Sequence, residues 1–155
     1  RLSWLPFPMH PVLHSSCSAP VPYVPGLTAL EIDTSVRAGF PSPAEDFQSE
    51  RIDVLKQIIL HPQATYTLRV RGDSMRDEGI FDGDVILVDR AIKPRHGHIV
   101  VAVVDGVFTC KKLWLRGGRL KLQAANPAFE DIIPQEGQTI EVWGVVLASV
   151  KQFKT

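Results

Sequence analysis

Apolar and polar positions alternate from Thr65 to Val70, with Tyr66, Leu68 and Val70 on one face and Thr65, Thr67 and Arg69 on the other. A period of two predicts a β-strand. Gly72 breaks the pattern, and Gly79 and Asp82-Gly83 mark further turns. Val85–Val88 is a short apolar run, and His98–Val104 follows a turn containing Pro94 and Gly97. Asp105-Gly106 between two apolar runs predicts a hairpin whose second arm is Val107–Leu115. Gly117-Gly118 turns the chain into Arg119–Gln123, and Ile140–Val150 is the last strand, with a bulge at Gly144. Its end, Val142–Val150, reads as an apolar edge open to a second copy of the chain. Helices are short. Ser42-Pro43-Ala44-Glu45 has the form of a capping box with proline at the first helical position. Asp53 is placed to cap Val54–Leu60, which His61-Pro62 ends. Short strands joined by tight turns predict a mainly β fold, a sheet curled over one core.

Residues 1–38 break this regime. Six of the 12 prolines fall there: Pro6, Pro8, Pro11, Pro20, Pro22 and Pro25. Proline removes a backbone donor and favours extended chain. The expectation is an irregular arm with one short strand near Leu27–Ile32. The chain begins without an initiator Met, which points to a trimmed start. Arg1-Leu2-Ser3-Trp4-Leu5-Pro6 has no apolar core of a secretory signal, and no apolar run reaches the ~20 residues that span a bilayer.

Composition narrows the function. At 155 residues the chain has room for one domain with a real core. Lys+Arg and Asp+Glu both number 17, so the basic surplus or stripe of a nucleic-acid binder is missing. Direct sequence-specific DNA binding is disfavoured. Cys17 and Cys110 are the only cysteines and read as reduced thiols of a cytoplasmic protein, with a single disulfide left open.

Ser74, in Arg71-Gly72-Asp73-Ser74-Met75, sits where a glycine turn can present a hydroxyl to a cleft. A serine nucleophile needs a base. None of the five histidines is placed for a triad: His10 and His14 lie in the arm, His61 precedes a proline, and His96 and His98 share a turn. The His-x-His pair lacks a third ligand, so no metal site is expected. The alternative base is a lysine kept neutral by burial. Lys111 and Lys112 lie within an apolar strand, and their side chains must point to opposite faces. Val107, Thr109, Leu113 and Leu115 share the face of Lys111; Phe108, Cys110 and Trp114 share that of Lys112. Periodicity does not choose between them. Two solvated lysines guarding an edge strand remain the competing reading.

Five stretches resemble, in order, the LexA-type S24 family of Ser–Lys self-cleaving proteins, and its UmuD-like members above all. They are Ala38-Gly39-Phe40-Pro41-Ser42-Pro43-Ala44, Gly72-Asp73-Ser74-Met75, Asp82-Gly83-Asp84, His96-Gly97 and the run from Val104 through Lys111-Lys112-Leu113. The resemblance implies a LexA/UmuD-like curled β-sheet peptidase with an extended N-terminal arm. It implies Ser74 as nucleophile and Lys111 as base, 111 − 74 = 37 positions apart. The backbone N–H groups of Ser74 and Asp73 are then the oxyanion donors. The scissile bond is Ala38–Gly39, so the arm 1–38 is removed and 39–155 is the peptidase and partner-binding domain. No cofactor is implied. The implied partners are a second copy of the chain, a RecA filament on single-stranded DNA that stimulates the cut, and a UmuC-like Y-family polymerase. The implied place is the bacterial cytoplasm. Two features depart from the pattern: the arm is longer and richer in proline, and His98 stands where an acidic residue is expected. Two other classes compete. One is a non-catalytic dimeric module that only docks a polymerase; the other is the C-terminal half of a LexA or phage repressor. A signal peptidase shares the chemistry but needs a membrane anchor. Residues 1–38 are too short and too proline-rich for a helix-turn-helix.

Overall fold

A computed structural model describes residues 16–25 and 53–155. The capping box at Ser42, the strand near Leu27–Ile32 and the Ala38–Gly39 bond lie outside them. Among the described residues two short strands come first, β1 (Ser16–Cys17) and β2 (Val21–Pro22), followed by helix α1 (Val54–Ile58). Six longer strands follow: β3 (Thr65–Arg71), β4 (Val85–Asp89), β5 (Ile99–Val104), β6 (Val107–Arg116), β7 (Arg119–Gln123) and β8 (Ile140–Val150). The fold is mainly β, as the alternation predicts. Asp53 caps α1 by accepting from Leu55 N–H and Lys56 N–H. The helix stops at Ile58, earlier than expected, because Ile59 is already extended.

The sheet is antiparallel and runs β1-β3-β4-β8-β5-β6-β7, and β1 also pairs with β6. That extra pairing joins the two ends of a six-strand path, so the sheet curls closed. One face of it packs Leu68, Val70, Ile86, Val88, Val101 and Cys110 around Met75 and Ile80, with Tyr66, Phe108 and Trp143 against them. The other face, over β5–β8, packs Val100, Ala102, Leu113, Leu122 and Val145. Each such aliphatic side chain contributes about 1.5–3 kcal/mol when fully buried.

Gly144 is a bulge, as predicted. Val101 faces Gly144 but Ala102 faces Val142, so Trp143 is the extra residue. A Cβ on Gly144 would lie 2.6 Å from a methyl of Val88, so glycine is what lets β8 approach β4. A second shift falls at Leu87/Val88.

Two expectations are corrected. β8 is no edge: it lies between β4 and β5, paired on both sides, so it offers no open strand to a second copy. The arm is not irregular throughout. Ser16–Cys17 pairs with Arg71–Val70, and Val21–Pro22 with Thr67–Tyr66. The Tyr23 N–H donates to the Thr65 carbonyl at 2.8 Å. With Val21 and Tyr23 turned towards β3, the missing N–H of Pro22 falls on the outer side, where the ladder needs no donor.

Candidate active site

β3 delivers the chain to Ser74. Gly72, at φ 92°, turns it off the strand in a conformation that side-chain-bearing residues rarely adopt, and its N–H donates to Asp82 Oδ1 at 2.8 Å. Met75 then plugs into the core, fully buried. Arg76–Glu78 form a 3-10 turn that left-handed Gly79 ends. The far side of the turn is clamped by the loop after β7. Ala125 N–H donates to the Ser74 carbonyl at 2.7 Å, and Asp77 N–H to the Ala125 carbonyl at 2.8 Å. Buried Asn126 donates from Nδ2 to the Asp73 carbonyl at 2.9 Å, while its Oδ1 accepts from Ala128 N–H.

β6 brings the lysine. Lys111 lies opposite Val100, and Leu113 opposite Leu122, so Lys111 leaves the strand on the face of the second core cluster. It is the largest fully buried side chain among the described residues, at 0% exposure. Its Nζ lies 2.7 Å from Ser74 Oγ, itself on a residue at 0% exposure. Two further acceptors flank the amine, the Cys110 carbonyl at 3.1 Å and Thr109 Oγ1 at 3.4 Å. The amine donates to all three oxygens, and once deprotonated its lone pair can instead accept the Ser74 hydroxyl.

Burial pushes the Lys111 amine down from 10.5 to about 8. Cys110 and Cys17 would oppose this only as thiolates. Burial pushes both thiols up, Cys17 to about 12, so they stay protonated and supply no charge. Keeping an unpaired ammonium here would cost several kcal/mol, a large part of a domain's 5–15 kcal/mol stability. A buried lysine whose amine is pushed down towards neutral pH, beside a serine hydroxyl, is an arrangement in which an amine can take a hydroxyl's proton.

The structure thus separates the two lysines. Lys112 points the other way and pairs with Glu78 Oε1 at 2.9 Å, with both side chains partly exposed. Neither belongs to an edge strand, since β6 lies between β5 and β7. The described histidines are engaged elsewhere: His61 with Asp89, His96 with the Leu115 N–H, and His98 with the Arg95 N–H. Cys17 and Cys110 are free thiols.

Residues 31–147 match the model of the family described as Peptidase S24-like. The chain belongs to that family. As an S24 member it is a serine peptidase of the self-cleaving kind. It is 42% identical to protein SamA of Salmonella typhimurium over 76% of this chain and 81% of that protein. It is 43% identical to protein MucA of Escherichia coli over 74% of this chain and 79% of MucA. A LexA repressor from Xylella fastidiosa is 42% identical over 71% of this chain, but over only 52% of the repressor.

Sequence reasoning missed Asn126. Its hydrogen bond to Asp73 spans 53 positions, and a lone Asn before Pro127 reads as turn chemistry. Asn126→Ala is expected to slow self-cleavage about tenfold at unchanged circular dichroism, because the turn holding Ser74 loses one anchor and near-attack geometry is sensitive to small shifts. A rate within twofold of the parent would show that Asn126 does not position the turn. For Lys112→Ala the expectation is a near-parental rate and a stability change within ~1 kcal/mol, since a half-exposed pair contributes little. A dead Lys112→Ala variant would reverse the assignment of the two lysines.

Proposed function

We propose that the chain is a self-cleaving serine peptidase of the bacterial SOS DNA-damage response. It cuts its own Ala38–Gly39 peptide with Ser74 and Lys111. The supporting observation is the 2.7 Å contact between a fully buried lysine amine and a serine hydroxyl. Neutral Lys111 takes the Ser74 proton as Oγ attacks the Ala38 carbonyl. The N–H groups of Ser74 and Asp73 stabilise the oxyanion. The C–N bond breaks, and Lys111 returns the proton to the departing Gly39 amine. Water then hydrolyses the Ala38 ester. Ala38 is small enough to approach Ser74, and Gly39 tolerates the backbone geometry of the cut.

The shortened product, residues 39–155, serves as a dimeric subunit of a UmuC-like translesion polymerase in the bacterial cytoplasm. A RecA filament on single-stranded DNA stimulates the cut. The match covers 81% of SamA and 79% of MucA but 52% of the LexA repressor, which favours this reading over a repressor half. With RecA, ATP and single-stranded DNA, the native chain should convert to the shorter form while Ser74→Ala stays whole. A native chain that remains intact would contradict the proposal.

A further inference from the structure

β3 leads into the turn that holds Ser74 and β6 carries Lys111, but the two strands do not pair with each other; β1 lies between them. β1 runs antiparallel to both, with Ser16 opposite Arg71 on one side and Thr109 on the other. Arg71 is three positions before Ser74, and Thr109 is two before Lys111. The described part of the resident strand therefore reaches nearly to the level of Ser74 and Lys111. Ser18 N–H donates to the Arg69 carbonyl at 2.9 Å, and Arg69 N–H donates to Ser18 Oγ at 2.9 Å. Cys17 packs against the first core cluster, close enough to Lys111 to interact electrostatically. β2 continues along the same edge of β3.

An extended peptide is held against a serine by pairing with flanking strand edges. The slot between β3 and β6 offers such edges next to both reacting groups, and the arm fills it. We propose that Ser16–Pro22 is an internal competitor, a resident strand that must leave the slot before the scissile segment of the same chain can enter. This rests on the self-cleavage proposed above. Chain length does not forbid the exchange. From Pro25 to Ala38 there are 38 − 25 = 13 residues, a reach of roughly 43 Å, against roughly 23 Å for the seven residues of β3. The obstacle is occupancy. The competitor lies upstream of the cut and leaves with the arm, so cleavage also empties the slot.

The test staples the resident strand in the full chain. Val21 faces Thr67 across the β2–β3 pair, and Val21 is exposed. In Val21→Cys/Thr67→Cys, the oxidised form should self-cleave at pH 9 at least tenfold more slowly than the same protein after reduction. The single Val21→Cys variant should not respond to reduction. Cys17→Pro, which cannot pair on both sides, should cleave several-fold faster than the parent. Equal rates for stapled and reduced protein would overturn the proposal. So would a slower Cys17→Pro variant that keeps the parental circular dichroism, since the segment would then support the site rather than block it. A second readout does not need cleavage. In the Ser74→Ala background, a fluorescent peptide of residues 33–44 should bind the reduced protein at least tenfold more tightly than the stapled one, and equal affinity would refute competition. If no variant cleaves but the affinities differ, self-cleavage fails and the competitor stands.

Discussion

Lys111→Met is expected to give a chain that no longer cuts itself and is more stable than its parent. Methionine matches the length of the lysine stem and fits apolar surroundings, so the second core cluster stays filled. The base is gone, and dyad members fail as a unit, so cleavage should drop to background, as for Ser74→Ala. Stability moves the other way. Each unit of pKa depression costs about 1.4 kcal/mol, so holding the amine at about 8 instead of 10.5 costs roughly 3 kcal/mol at neutral pH. Losing the Ser74 hydrogen bond gives back about 1 kcal/mol. The net gain is on the order of 2 kcal/mol, read as a higher denaturant midpoint at pH 7. The sign follows from linkage. Between about 8 and 10.5 the unfolded chain binds more protons than the folded one, so native stability rises with pH through that window. The advantage of the methionine variant should shrink there. A variant less stable than the parent at pH 7 would mean that burial does not depress the Lys111 amine.

Self-cleavage without any activator should speed up about tenfold between pH 7 and pH 9. Only the neutral amine can take the Ser74 proton. With the amine at about 8, about one tenth is neutral at pH 7 and about nine tenths at pH 9. The rate should level off above pH 9. The flanking thiols add no step to the profile, because burial pushes Cys17 to about 12 and raises Cys110 as well. A rate that peaks near pH 7 and then stays flat would assign the base to a histidine.

Most of the sheet was legible because turns and alternation are local. Asp105-Gly106 and Gly117-Gly118 mark hairpins that the fold keeps as β5–β6 and β6–β7. The choice between Lys111 and Lys112 was not legible, since both faces of β6 carry apolar residues; only the pairing of β6 with β5 and β7 decides which face the second core covers. β8 was misread as an edge, although apolar residues on both of its faces suit a strand buried in mid-sheet. Pairing of the arm was hidden by its prolines, because whether Pro22 can be tolerated depends on which side of the strand its missing N–H falls. Asn126 was illegible for another reason: its role is defined by a carbonyl on a distant loop, and no spacing rule encodes such a contact.

The most direct test of Ser74–Lys111 self-cleavage is intact-mass analysis of the full chain held alone at pH 9, with N-terminal sequencing of the product. A single new chain beginning Gly39-Phe40-Pro41 and a released arm ending at Ala38 are expected, with neither appearing in Lys111→Met. An uncut native chain, a product starting elsewhere, or the same cut in Lys111→Met would contradict it.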